Sequence, residues 1–176
     1  MAEDLIHRYA TAEDVAKAVA DAFVAFTTEC IKQTETCVVA ISGGTTPNAL
    51  FELLNTEEYR KKVDWENIYF LWVDERFVPH SDPDNNFHRA KERLFGNLGC
   101  SCHFYPVPTN NGTVEEAAAA YEKEVRTVLN ACEKTELDLV LLGLGDDGHT
   151  ASLFPKSSVL QEQDHIVVAV KDGKVW

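Results

Sequence analysis

Basic residues are scarce in this 176-residue chain: 16 Lys and Arg stand against 29 Asp and Glu, a formal charge of −13. Nucleic acid and anionic membrane surfaces both need a basic face, so the deficit argues against them as partners, and an anionic ligand would need positive charge concentrated locally. Long apolar runs are missing too; none approaches the ~20 residues of a membrane-spanning helix. The opening residues MAEDLIHRYA are acidic and polar, unlike a secretory signal. Cysteine is present without a framework: Cys30, Cys37, Cys100, Cys102 and Cys132 are odd in number and scattered, which predicts reduced thiols in a cytoplasmic protein. Cys100 and Cys102 have no second pair to complete a zinc site, and the Asn111-Gly112-Thr113 sequon would stay unmodified without export. With no internal repeat or linker, residues 1–176 are expected to form a single domain, large enough to bury about 70% of the surface of the unfolded chain.

What the sequence does have is a series of short apolar runs that end in chemistry-bearing residues. The run CVVAIS (37–42) stops at Gly43-Gly44-Thr45-Thr46, and Pro47 opens a helix carrying Ala49, Leu50, Leu53 and Leu54. A strand, a glycine turn and a helix start leave free N–H groups that favour a phosphate or carboxylate. No Lys follows as in a P-loop, and the dinucleotide pattern G-x-G-x-x-G is absent. The run IYFLWV (68–73) ends in Asp74-Glu75-Arg76. The run from Leu137 reads as a strand covered on both faces and ends in Gly143, Gly145 and Gly148, with Asp146, Asp147 and His149 among them. Taken singly, these are also a plain glycine turn, a surface ion pair and a helix-capping loop. Taken together they fit an α/β fold with a doubly wound, mostly parallel sheet, which gathers its strand ends at one crevice.

The remaining segments supply the layers. Thr11 caps a helix whose stripe is Val15, Ala18, Val19, Ala22, Phe23 and Phe26. Residues 57–62 read as a short charged helix or turn, and Asn85 or Asn86 caps a helix that buries Phe87, Ala90 and Leu94. Thr113 and Glu116 form a capping box for a helix that buries Ala117, Ala120, Tyr121, Val125, Val128, Leu129 and Cys132. Short strands are expected at 5–9, 103–107 and 165–170, the last entering a hairpin at Asp172-Gly173 that returns through Val175 and Trp176. Residues 157–163 read as a loop or helical turn, and His80 and His88 as solvated side chains.

Three motifs carry a resemblance. Ser42-Gly43-Gly44-Thr45-Thr46-Pro47, Asp74-Glu75-Arg76 with Val78-Pro79 and Asn86 behind it, and GLGDDGHTASLFP (143–155) together resemble the 6-phosphogluconolactonase family, within the wider group that includes glucosamine-6-phosphate deaminase. The resemblance implies a three-layer, Rossmann-like fold with helices on both faces of the sheet. It implies hydrolysis of 6-phospho-D-glucono-1,5-lactone to 6-phospho-D-gluconate in the oxidative pentose phosphate pathway, without metal or organic cofactor. Ser42, Gly43, Gly44, Thr45 and Thr46 would grip the phosphate with Arg76, and His149 would be the general base, with Asp147 and Asp74 lining the site and either able to orient the ring. Backbone N–H groups of residues 143–148 would serve as oxyanion donors. The deaminases carry Asp-Gly-His-Ile-Ala-Phe-Asn-Glu-Pro, with a glutamate before the proline, where this chain has Phe154. Members of the family continue past the position of Trp176 with further strands, a helix and basic residues. The expectation is therefore a monomeric lactonase domain lacking its C-terminal elements, with Lys171 and Lys174 as weak local basic substitutes. A phosphosugar-binding chain impaired in catalysis is the first alternative, and an amino-sugar-phosphate deaminase or isomerase the second.

Overall fold

The computed structural model describes residues 6–44, 46–99 and 101–171. Its centre is β1 (Cys37–Ile41), whose five residues are all buried. A β-branched run hidden on both faces can only be an inner strand of a covered sheet. It pairs in parallel with β2 (Ile68–Trp72), in register Cys37↔Ile68, and on its other side with β4 (Leu139–Leu141), in register Val39↔Leu139. β2 carries β3 (His103–Tyr105) on its far side, giving the order β3-β2-β1-β4. The chain steps outward from β1 to β3 and then crosses back to β4, so the strand order reverses between β1 and β4. In open α/β sheets the crevice at the carboxyl ends of such a pair is the binding place.

One face of the sheet is packed by α1 (Ala12–Thr34), α2 (Thr46–Leu54) and α4 (Asn86–Arg93), α1 lying against α2 and α2 against α4. Phe23 of α1 meets Trp65, Trp65 stacks on Phe70 of β2, and Trp72 meets the edge of Phe87 from α4 at 5.4 Å. The other face belongs to α5 (Val114–Ala131), whose Tyr121 and Val125 enclose a cleft of about 850 Å³ with Ala40 and Leu71. The Tyr121 hydroxyl accepts from the Trp72 N–H at 2.6 Å and donates to the Trp72 carbonyl at 3.2 Å, satisfying β2 beyond the end of β3. Helices thus cover both faces, as the doubly wound reading expects. A further short helix, α3 (Glu57–Arg60), precedes β2.

The helix signals behave as short-range chemistry dictates. Thr11 accepts from the Asp14 N–H, Thr113 and Glu116 make the reciprocal capping box, and Asn85, not Asn86, caps α4 by accepting from the His88 N–H at 3.0 Å. The stripe expected for α1 is out of phase. Ala16, Ala20, Phe23 and Thr27 are buried, whereas Ala22, Val15 and Phe26 are exposed. Thr27 tolerates burial because its hydroxyl bonds back to the Phe23 carbonyl at 2.9 Å, and the alanines let the helix approach closely. In α5, Ala120 is exposed and Ala118 takes its place inside.

Three strand expectations are corrected. Residues 6–9 and 165–170 form no strand, since none of the described residues pairs with them; Leu5 and the hairpin signal at 172–176 lie outside the described residues. β4 is shorter than its apolar run, lies at the sheet edge with β1 as its one neighbour among the described residues, and is not covered on both faces, since Val140 is exposed, as are Leu142 and Leu144 after it. No helix among the described residues is long and apolar enough to cross a membrane.

Candidate active site

The glycine turn after β1 is built by two different constraints. Gly44 has a φ of 99°, which excludes a side chain for conformational reasons. Gly43 is constrained by space: a Cβ there would lie 1.7 Å from the Asn86 Oδ1. Ser42 is buried and its hydroxyl donates to the Leu141 carbonyl at 2.8 Å, tying the ends of β1 and β4 together across the switch point. That bond makes Ser42 a brace for the crevice. Thr46 is the exposed first residue of α2, and Thr45 lies outside the described residues.

The end of β2 contributes Asp74, Glu75 and Arg76, and each has a separate task. Arg76 donates to the Asn86 Oδ1 at 2.6 Å and to the Asp84 carbonyl at 3.0 Å. The Asp74 carboxylate accepts from the Ser152 hydroxyl at 2.7 Å, which draws residues 143–155 against the β2 end. Glu75 accepts from the backbone N–H groups of Arg76, Asn86 and Phe87 at 2.8, 2.6 and 2.9 Å, anchoring the first turn of α4. Burial pushes its carboxyl up to about 7, against the lowering effect of those three N–H groups.

After β4 the chain folds back on itself: the Gly145 N–H donates to the His149 carbonyl at 2.8 Å, and the Thr150 hydroxyl to the Gly143 carbonyl at 2.8 Å. His149 Nδ1 and Asp147 Oδ1 stand 2.5 Å apart, and the same carboxylate oxygen accepts the His149 backbone N–H at 3.1 Å. The hydrogen bond from the imidazole holds the Asp147 carboxyl below the usual carboxylate range. The ring lies over Gly145, where a Cβ would come within 2.1 Å of it, and it also meets Phe154 at 4.9 Å between centroids. Ala151 has a φ of 50°, a left-handed conformation that alanine adopts only under constraint, directly before Ser152.

Most of the sequence-derived set therefore converges. Gly43 and Arg76 meet on one amide oxygen, Asp74 is linked to residues 143–155 through Ser152, and Asp147 orients His149. Asp74 does not contact the ring; of the two carboxylates offered for that role, Asp147 holds it. The oxyanion suggestion is also narrowed, because the N–H groups of Gly145 and Gly148 are spent on the carbonyls of His149 and Gly145. His80 and His88 are structural: His80 Nε2 lies 2.7 Å from the Val107 carbonyl, and His88 Nδ1 lies 3.2 Å from the His80 carbonyl. Glu75, Asn86 and Ser152 lie within the motifs that carry the resemblance, but what each contacts is visible only in three dimensions. The apolar cleft under α5 has Asp74, Arg76, Ser152 and Phe154 on its lining but neither His149 nor Gly43, so the reactive groups stand outside it.

At the opposite, amino-terminal end of the sheet, Cys30, Cys37 and Asp138 bring potential metal-ligand atoms within 4.8 Å of one another. Lys134 already sits there, 2.7 Å from the Asp138 carboxylate and 3.9 Å from the Cys30 sulfur, and the second Asp138 oxygen accepts the Val38 N–H at 2.8 Å. An ammonium in that position supplies the cation the group needs.

Residues 10–175 match the family model described as glucosamine-6-phosphate isomerases/6-phosphogluconolactonase. The chain is 38% identical over 147 residues to a 6-phosphogluconolactonase of Nostoc sp., covering 81% of this chain and 60% of that protein. It is likewise 38% identical over 151 residues to a 6-phosphogluconolactonase of Synechocystis sp., covering 84% of this chain and 61% of that one. The solved structure of the 6-phosphogluconolactonase of Trypanosoma brucei superimposes with a TM-score of 0.77 at 28% identity, covering 92% of this chain and 67% of that chain. The chain thus spans about three fifths of the length of the curated relatives it matches.

Proposed function

The chain belongs to the glucosamine-6-phosphate isomerase/6-phosphogluconolactonase family, and on that premise we propose that it hydrolyses 6-phospho-D-glucono-1,5-lactone to 6-phospho-D-gluconate as a monomeric, single-domain cytoplasmic enzyme of the oxidative pentose phosphate pathway. The observation that carries the reading is the His149–Asp147 pair. With Asp147 accepting from Nδ1–H, the basic atom left on the ring is Nε2. His149 then takes a proton from water as the oxygen attacks C1 of the lactone. The tetrahedral intermediate collapses, the bond from C1 to the ring oxygen breaks, and the imidazolium returns the proton to that oxygen. One residue thus serves as base and then acid, a contribution of about 10²–10⁴-fold. Asp147 stabilises the cation formed between the two steps.

The phosphate belongs at the sequence Gly43-Gly44-Thr45-Thr46 that follows β1, with Arg76. Backbone N–H groups at the start of α2 and a planar guanidinium suit a dianion, and anchoring that remote group orients the lactone against His149. Phe154 against the imidazole favours lactone hydrolysis over amino-sugar deamination, because the sister activity depends on a carboxylate at that place.

The test is proton release from freshly generated 6-phosphoglucono-1,5-lactone, in weak buffer, above spontaneous hydrolysis. Acceleration by the parent and its loss in a folded His149→Ala variant are expected, with Arg76→Ala raising KM about tenfold or more. Normal turnover in the histidine variant would overturn the mechanism. A folded parent that binds 6-phosphogluconate without turnover would support a phosphosugar-binding protein instead.

A further inference from the structure

We propose that Asn86 positions the Arg76 guanidinium for the substrate phosphate and is the reason that residue 43 is glycine; the inference rests on the phosphosugar reading above. Asn86 is 2% exposed, an uncommon degree of burial for an amide, and its hydrogen bonds explain the burial. Oδ1 accepts from Arg76 Nη1 at 2.6 Å, while Nδ2 donates to the Asp74 carbonyl at 3.0 Å. This pattern fixes the amide one way round. Turned over, it would set an NH₂ against the guanidinium and an oxygen against a carbonyl. The backbone N–H of Asn86 is held as well, by Glu75 at 2.6 Å, so the side chain starts from a fixed point on α4.

The amide also lies flat on the glycine turn. A Cβ at Gly43 would stand 1.7 Å from Oδ1, 2.0 Å from Cγ and 2.6 Å from Nδ2, a clash along the whole amide. Gly43 is not among the positive-φ glycines, so space alone excludes a side chain there. Asn86 therefore touches the ends of β1 and β2 at once and sets the guanidinium beside the phosphate-binding turn.

Its chemistry matters as much as its place. An aspartate of the same shape would also accept from Arg76, but as a carboxylate it would neutralise the guanidinium and compete with a phosphate for it. It would further oppose its second oxygen to the Asp74 carbonyl. The neutral amide holds Arg76 without neutralising it. In a chain of formal charge −13, the amide thus adds no further negative charge where the anionic group is proposed to dock.

The test compares the parent with Asn86→Asp, Asn86→Ala, Gly43→Ala and the Gly43→Ala/Asn86→Ala double variant, using the phosphorylated lactone and unphosphorylated glucono-1,5-lactone. For Asn86→Asp, KM for the phosphorylated lactone should rise about tenfold or more, with kcat and the unphosphorylated reaction changed less than about threefold. Calorimetric binding of 6-phosphogluconate should weaken in parallel. Gly43→Ala alone should behave like Asn86→Asp, whereas the double variant should be no worse than Asn86→Ala, because truncating the amide makes room for the new methyl. Equal losses on both lactones, or additive effects in the double variant, would overturn the inference in favour of a general folding role. If the parent hydrolyses neither lactone, the lactonase reading fails separately. The Asn86 inference is then decided by 6-phosphogluconate affinity, supported by about tenfold weaker binding in Asn86→Asp and overturned by equal binding or by a parent that binds none.

Discussion

Asp147 shows how much one exposed side chain can do when a histidine is its partner. Its carboxylate lies against both the ring and the backbone N–H of His149, so it sets the ring's direction and, in the proposed mechanism, its tautomer. Asp147→Asn should keep an acceptor for Nδ1 but remove the charge that, in the proposed mechanism, stabilises the imidazolium. Turnover is expected to fall about 10²-fold or more with KM little changed, while thermal unfolding stays close to that of the parent because the side chain is 58% exposed. Stopped-flow proton release and a melting curve check both. The two acidic residues, the histidine and the glycines of this segment are all legible in the sequence, since their types declare the chemistry. What the sequence does not reveal is why Gly145 is glycine: the imidazole of His149 occupies the space of its missing Cβ. Ser152, which fastens the segment to Asp74, is equally silent, because a serine in a loop has many bland uses.

At the scale of elements, the junction of β2 and α4 carries the clearest consequence for pH. Glu75 binds the first turn of α4, and burial raises its carboxyl to about 7. A raised carboxyl holds its proton more tightly in the folded state than in the unfolded one. Its contribution to stability is thus full below the unfolded value near 4.5 and is lost as pH rises through about 7, by at most ~3 kcal/mol. Glu75→Gln should flatten that part of the stability curve, measured by urea unfolding from pH 5 to 8; an unchanged slope would show that other groups produce it. Elements were readable where their determinants are local, as at the caps Thr11, Asn85 and Thr113. The sequence does not show them where a distant partner decides: α1 turns Thr27 inward and Phe26 outward because of what it packs against, and residues 165–170 have a strand's composition without a neighbouring strand among the described residues.

For the molecule as a whole, the order β3-β2-β1-β4 matters more than any single contact. The doubly wound architecture followed from apolar runs ending in glycines and charges, but the reversal between β1 and β4 is a fact of pairing that composition does not encode. It divides the site by origin. The turn at Gly43 and the Arg76–Asn86 pair belong to elements that precede β4, whereas His149 follows it. Ser42 and Leu141, which close the crevice, are 99 residues apart in sequence. During folding, then, the two halves of the site have different histories. If contacts across so long a loop form late, an ensemble exists in which the proposed phosphate grip is assembled and the proposed base has yet to arrive. On dilution from denaturant, 6-phosphogluconate binding should recover no later than turnover, and a lag between them would time the docking of β4.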